Sequence, residues 1–276
     1  MGISRGAIKL MGLSLREHRC SGSVVTFGVQ GVQAGYDEAV ALLSKAGKSI
    51  APVSPDEIRL DDLTRYQHTI HQDVLFRLLG FGSVESIDFF PDEKPTHVLD
   101  LNRPVPASML EKFDLVFDGG TSEHCFATSE ALCNAMRLVK AGGRVIHHSP
   151  LNNWVDHGFY QFSPTIFFDL YEANGFDQIA MAIHFIDGSR ESYVVYDPRK
   201  DGNLPYGLGG GAKVLAFFSA RKAAPLGEIA FPIQGRYRRT FGSERNPAAT
   251  AQSRSPLARL KRSLRKRAFK WRATAL

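Results

Sequence analysis

Gly28-Val29-Gln30-Gly31, Asp88, Asp100-Leu101-Asn102, Asp118-Gly119-Gly120 and Ser149 to Asn153 each stand at or directly after the end of a short apolar, β-rich segment. Those residue types suit a nucleoside. A glycine lets a ligand approach the backbone because no Cβ intervenes. A carboxylate such as Asp88 accepts both hydroxyl hydrogens of a ribose, and charge-assisted hydrogen bonds are the stronger kind. Asp100 is placed to accept from an adenine amino group while Leu101 packs on the ring face, with Asn102 beside them. The loop from Asp118 and Gly119 to His124 would then lie under the reacting end, with His124 as first candidate for a general base and Glu123 beside it to orient the cofactor or the loop or to contact the substrate. His157, in NNWVDHGFYQF, is a second candidate base, and Asn152, Asn153, Tyr160 and Gln161 around it suit a polar, sugar-like substrate. The bland alternatives are that the acids cap helices and that the histidines and Tyr160 only hold loops together.

Other chemistries find little support. His68 and His71 are three apart on an expected helix, but no third ligand follows at a sensible spacing, so no metal is expected. No G-x-S-x-G elbow and no G-x-x-x-x-G-K-[ST] loop occurs. G-x-G-x-x-G is also absent, and Asp88 lies 60 residues after Gly28, against the roughly 20 of a nicotinamide site.

The elements that must position these residues alternate. SVVTF (23–27), VESID (84–88), THVLDL (96–101), FDLVFD (113–118), GRVIHH (143–148), IAMAIHFI (179–186) and KVLAFFS (213–219) read as strands, most of them covered on both faces. Helices are expected over 61–79, capped by Asp61 or Asp62 and closed by Gly80; over 128–140, capped by Thr128 and closed by Lys140-Ala141-Gly142; and over 164–174, with Ser163 at the cap and Pro164 at the first position. This alternation predicts an α/β fold with a doubly wound, mostly parallel, seven-stranded Rossmann-like sheet. No helix joins the last two strands, so the end of the sheet should be antiparallel and hairpin-like, with YVVY as an added strand. In such sheets ligands bind at the carboxyl ends of the strands, where the chain order reverses.

Around that core the expected organisation is a flexible N-terminus over 1–22, the α/β domain over 23–222 with 31–60 as an insert or lid, and a linker and basic tail over 223–276. The 276 residues carry a formal charge of +6, but from Arg236 onward thirteen Lys and Arg face a single acid, Glu244. The body, 1–235, holds 21 basic and 27 acidic groups and is therefore at −6. In the tail, Leu257, Leu260, Leu264, Ala268 and Trp271 recur at three- and four-residue steps among Arg and Lys. A basic amphipathic helix over 256–272 follows, suited to an anionic membrane surface. Nucleic acid is the weaker reading, because the acidic body gives no electrostatic reason for it. Three cysteines without C-x-x-C spacing argue against a zinc knuckle or a disulfide framework, and no apolar run approaches the roughly 18 residues of a membrane span. The expected setting is cytoplasmic, peripheral at the inner membrane surface if the tail engages it.

FDLVFDGGTSEHCF followed by ALCNAMRLVKAGGRVIHHSP resembles the fourth-strand, helix and fifth-strand region of class I S-adenosylmethionine-dependent methyltransferases, where an acidic strand end, an E-H pair and a K-x-G-G turn recur in this order. VESIDFF resembles their second-strand acidic motif. LGFGSVESIDFF, LDLNRPVP and NNWVDHGFYQFSP are similar to a bacterial methyltransferase-like subgroup associated with glycan or cell-surface biosynthesis. The resemblance spans about 23–220 and implies S-adenosyl-L-methionine as cofactor, held by Gly28, Gln30, Gly31, Asp88, Asp100, Leu101, Asn102, Asp118 and Gly119, with methyl transfer to a small polar or glycan-type acceptor. The family's G-x-G-x-G loop is here TFGVQGVQAG, in which Gly28 and Gly31 stand at G-x-x-G spacing and Gln30 brings bulk where small residues are usual. That departure keeps open an inactive, methyltransferase-like binding or scaffold module. The basic tail keeps open an RNA methyltransferase.

Overall fold

A computed structural model of the chain describes residues 2–18, 20–58, 69–241 and 274–275. In the middle of the parallel part of its sheet, β1 (Ser23–Phe27) lies between β2 (Ser83–Asp88) and β4 (Phe113–Asp118). The short β3 (His97–Val98) continues the parallel set beyond β2, and β5 (Val139–Asn152) continues it beyond β4. The chain runs outward from β1 to β3 and returns to β4 on the other side. The order therefore reverses between β1 and β4.

The remaining strands run against that set. β8 (Lys213–Lys222) pairs antiparallel with both β5 and β6 (Phe176–Asp187), β7 (Arg190–Val195) forms a hairpin with β6, and β9 (Thr274–Ala275) lies on β7. The full order is β3-β2-β1-β4-β5-β8-β6-β7-β9. Its first seven members are the seven expected strands, and the strand expected at YVVY is β7.

Alternation along the strands covers both faces. Val25, Val116 and Val145 enter one apolar layer with Leu132 and Met136 of α4 (Thr128–Leu138) and Phe167 and Tyr171 of α5 (Pro164–Ala173). Val24, Leu115, Phe117 and Ile146 enter the other, with Ile8 and Met11 of α1 (Arg5–Leu15), Leu43 of α2 (Tyr36–Lys45) and Leu75 of α3 (Gln72–Leu79). The sheet is doubly wound.

Several expectations need correction. The N-terminal segment expected to be flexible holds a helix: α1 is capped by Ser4, whose Oγ accepts from the Ala7 amide at 3.2 Å, and buries Ile8, Met11 and Leu15. Backbone bonds from Ile3 N to Gly31 O and from Gln33 N to Ile3 O join it to the segment after β1. The 31–60 segment contains α2, which packs on α1 so closely that a Cβ on Gly12 would meet Ala46 Cβ at 2.7 Å. α4 ends at Leu138, and Lys140-Ala141-Gly142 belongs to β5 instead of closing the helix. Thr128 is the first helical residue, and its hydroxyl donates to Ser122 O instead of capping. β3 is cut short because Asp100 Oδ1 accepts from both the amide and the side-chain nitrogen of Asn102, a local turn that competes with the ladder.

The helix expected over 61–79 is shorter than expected at its described end: residues 61–68 lie outside the described residues, 69–71 are not helical, and α3 begins at Gln72, where His71 Nδ1 accepts from the Asp73 amide, and ends at Gly80 in the left-handed region at φ 108°. Asp61, Asp62 and His68 lie outside the described residues, as does the whole basic tail helix expected over 256–272. The start of the expected linker runs along α5 into a short helix, Gly235–Phe241, tied by Ala230 N to Asn174 Oδ1 and by Gly235 N to Asp169 Oδ2. Among the described residues no helix is long and apolar enough to cross a membrane.

Candidate active site

The carboxyl ends of β1, β2 and β4 meet around Gly28. Its backbone turns into the left-handed region (φ 74°), its amide donates to Ile87 O at 2.7 Å, and a Cβ there would lie 3.0 Å from Thr121 Oγ1 and 3.6 Å from Asp88 Oδ2. Asp88 is half-buried, and its Oδ1 accepts from the Phe90 amide at 3.2 Å. Its second oxygen faces the glycine.

Gln30 crosses the same edge. Its amide donates to Gln72 Oε1 at 2.8 Å and its Nε2 donates to Phe27 O at 2.6 Å, which draws the side chain back over the strand end. Its Oε1 is buried with no hydrogen-bond partner among the described residues, and a Cβ on Gly119 would meet it at 2.3 Å. Gly28, Gln30, Asp88 and Gly119 are therefore brought together at one sheet edge. Gly31 turns away, its carbonyl accepting from Ile3 N at 2.8 Å.

Asp118 does not face this edge as a free carboxylate. It is wholly buried: Oδ1 accepts from the Thr121 amide, Oδ2 accepts from Ser122 Oγ at 2.6 Å, and Oδ2 lies 2.8 Å from His147 Nδ1. His147 Nε2 in turn meets Tyr171 Oη at 2.5 Å. Burial alone would push the Asp118 carboxyl up, but His147, Ser122 and Thr121 together hold it below the usual carboxylate range. Burial, reinforced by Asp118, pushes the Tyr171 hydroxyl well above its ordinary value. Asp118 and His147 bolt the loop to β5, which corrects the ligand role expected for Asp118. Sequence reasoning misses both His147 and Tyr171, since apolar runs hide an inward-facing polar residue.

On β3's side, the hydrogen bonds from Asn102 keep the Asp100 carboxyl below its usual range. Leu101 is buried in the core instead of lying open to a ring. Asn102 Oδ1 accepts from the Ala127 amide, while the buried Asn134 clamps the carbonyls of Leu101 and Arg103. Asp100 remains half-exposed; Leu101 and Asn102 serve the loop.

Past β4, a 3-10 turn over Ser122–His124 places Glu123 inward and His124 outward. The loop after β5 returns over it: Phe159 N and Tyr160 N donate to Glu123 O at 2.9 and 3.3 Å, and Gly158 sits so close that a Cβ would meet Glu123 Cγ at 3.0 Å and His124 Nδ1 at 3.2 Å. This closure brings the His157 ring to 4.9 Å from the His124 ring, centroid to centroid, with Trp154 4.7 Å from His157 on another side. His157 Nε2 lies 3.6 Å from Glu123 Oε1. Burial raises the Glu123 carboxyl, and burial followed by the charge of His157 lowers His124. The two candidate bases and Glu123 thus form one cluster, although a helix and a strand separate them along the chain.

The four expected polar contacts are engaged within the protein. Asn152 Nδ2 donates to Leu208 O, Asn153 Nδ2 donates to Gly210 O and Ala212 O, Tyr160 Oη donates to Phe126 O, and Gln161 Oε1 accepts from Trp154 N. These bonds hold the His157 loop to β8's approach and to the turn carrying His124. The rim of the cluster is instead apolar and exposed, formed by Phe126 and Phe159 in an edge-to-face pair at 6.1 Å. Two cavities, of about 460 and 330 Å³, lie beside α5 and are lined by residues such as Tyr196 and Arg199, and Leu151 and Leu208. Neither is lined by Gly28, Asp88 or Glu123.

No family model and no curated protein matches the chain. Solved structures do match. A candidate methyltransferase of Bacillus halodurans is 11% identical over 78% of this chain and 98% of its own, with a TM-score of 0.38. A Burkholderia thailandensis 1,6-didemethyltoxoflavin N1-methyltransferase, solved with 1,6-didemethyltoxoflavin and S-adenosylhomocysteine, is 15% identical over 78% of each chain, with a TM-score of 0.35. A variant of the branched-chain polyamine synthase of Thermus thermophilus, solved with N4-aminopropylspermidine and 5′-methylthioadenosine, is 13% identical over 84% of this chain and 60% of its own, with a TM-score of 0.39. At these scores the fold of the present chain rests on its own strand order and pairing.

Proposed function

We propose that the chain is an S-adenosyl-L-methionine-dependent methyltransferase acting on a small polar or glycan-type acceptor. The observation that carries this reading is the convergence of a left-handed Gly28 and the open side of Asp88 at the point where the strand order reverses, with the Glu123–His124–His157 cluster at the end of the next strand. Gly28 offers a close backbone approach, Asp88 accepts ribose hydroxyls, and Asp100 keeps an ionised carboxylate one strand further out.

Methyl transfer is an in-line displacement. The acceptor oxygen forms a bond to the methyl carbon while the carbon–sulfur bond breaks, its electron pair passes to sulfur, and the sulfonium becomes the neutral thioether of S-adenosylhomocysteine. Alignment supplies much of the rate, and ionising an acceptor hydroxyl supplies more. In this reading the cluster ionises the hydroxyl. His124 is exposed, and its lowered affinity for protons leaves the imidazole neutral near pH 7. The proton lost by the hydroxyl passes through the cluster to water.

One observation favours a second reading, a non-catalytic module on the same fold. The Gln30 carboxamide occupies the space above Gly119 at the strand edge. Calorimetry of the full chain with S-adenosylhomocysteine separates the two. One-to-one binding that is lost in Asp88→Ala is expected for the methyltransferase; no binding, beside normal binding by an active control enzyme, would assign the module.

The setting proposed is cytoplasmic. The twelve excess positive charges after residue 235 supply attraction to an anionic membrane surface, a role separable from chemistry at the sheet edge.

A further inference from the structure

The Glu123 side chain is wholly buried, and neither of its oxygens has a hydrogen-bond partner among the described residues. His157 Nε2 is likewise buried and unpartnered, and at 3.6 Å from Glu123 Oε1 it is too far for a hydrogen bond. A buried carboxylate without donors is costly, so native structures pair such a group or give it a metal. Three side chains, Glu123, His124 and His157, each offer one ligand atom here, all within 4.8 Å of one another. Tetrahedral bonds of about 2.0–2.1 Å to zinc would set ligand atoms about 3.3 Å apart. The Glu123–His157 separation is already close to that value.

We propose that Glu123, His124 and His157 form a binding site for one divalent transition-metal ion, of which zinc fits the donor set best. Two imidazoles and one carboxylate are the ligands of open catalytic zinc sites, which keep the fourth position for water or substrate. Gly158 permits this geometry, because a side chain there would press on Glu123 and on His124 Nδ1. The loop is also drawn into place by backbone bonds to Glu123 O and by the Trp154 ring against His157. Ligands adjacent in sequence come from the 3-10 turn, and the third closes over them from the loop after β5.

A fourth position would be left for water or for an acceptor hydroxyl. A hydroxyl bound there ionises near neutral pH because the cation stabilises the alkoxide, and its proton leaves to solvent. This consequence rests on the methyltransferase reading; metal binding itself does not. It also gives His124 and His157 a different duty in the same cluster, as ligands holding the metal instead of free bases.

The test uses the full chain, dialysed against a chelator and then titrated with zinc or cobalt(II), with bound metal measured by mass spectrometry and cobalt coordination by visible absorption. One equivalent is expected, with the absorption of a four-coordinate cobalt site. Glu123→Gln, His124→Ala and His157→Ala should each weaken binding more than about tenfold. His124 is exposed, so His124→Ala keeps the measurement interpretable if a buried variant fails to fold. Asp88→Ala should bind metal as the parent does. Failure to retain one equivalent, or retention undiminished in His124→Ala and His157→Ala, overturns the site. S-adenosylhomocysteine binding measured on the same samples keeps the two failures apart: cofactor binding without metal binding overturns only the metal, and the reverse overturns only the methyltransferase.

Discussion

Gln30 and Gly119 occupy one another's space: a Cβ on Gly119 would stand 2.3 Å from Gln30 Oε1 and 2.7 Å from its Cδ. The glycine at the end of β4 is needed because a bulky residue after β1 lies over it. Gly119→Ala should therefore destabilise the fold by about 1–3 kcal/mol, the usual range for overpacking. Gln30→Ala in the same chain should recover part of that loss, the remainder reflecting Phe117 Cε1, also at 2.7 Å. Urea unfolding of the double-mutant cycle checks the coupling.

The same contact makes a prediction for ligand binding. Gln30→Gly removes the carboxamide from the edge beside Asp88 and should tighten S-adenosylhomocysteine binding in calorimetry. Unchanged affinity would place the ligand elsewhere.

Asp118 and His147 are a buried pair, and removing one partner strands the other. Asp118→Ala should cost about 3–5 kcal/mol in thermal or urea unfolding. The sign with pH follows from the lowered Asp118 carboxyl. Its contribution is present above the ordinary aspartate value of about 3.9 and is lost as pH falls through the lower folded value. The difference in stability between parent and Asp118→Ala should thus shrink only at strongly acidic pH.

The N-terminal helix is held by β7. Glu191 Oε2 accepts from Ser4 Oγ at 2.7 Å and from Gly6 N at 3.0 Å, and lies 2.8 Å from His184 Nε2. Burial pushes the Glu191 carboxyl up, but His184 and Ser4 outweigh it and lower it overall. Glu191→Ala should cost about 1–3 kcal/mol and speed hydrogen exchange at the Gly6 and Ala7 amides. Exchange unchanged there would mean that packing alone seats the helix.

Deleting residues 242–276 removes ten of the thirteen basic residues that follow residue 235. It should abolish flotation with anionic vesicles, to which basic residues supply the attraction, and leave S-adenosylhomocysteine binding intact, because Gly28 and Asp88 lie outside the deleted segment. Equal flotation would dismiss the tail as the membrane contact.

Strands are legible from sequence because Val, Ile and Phe runs such as FDLVFD need two covered faces wherever they fold. The site is half legible: acids and glycines at strand ends are local signals, and Gly28, Asp88 and Gly119 do converge. α1 is harder to read. Ser4 and the stripe Ala7, Met11, Leu15 carry helical spacing, but glycines at 6 and 12 weaken the pattern, and the contacts that hold the helix come from Glu191 and from α2.

By itself the sequence determined which segments pair into a doubly wound sheet, where its polar edge lies, and that a basic tail follows an acidic body; each depends on residue type and periodicity within a few positions. The tertiary structure alone decided which polar groups face that edge. Asp118 and Asp88 both end strands that flank β1, yet one is wholly buried on His147 and the other opens beside Gly28. His157 likewise reaches Glu123 only because a loop after β5 folds back across β4. Such choices are made by side chains far apart in sequence competing for one buried volume, and no local pattern records the winner.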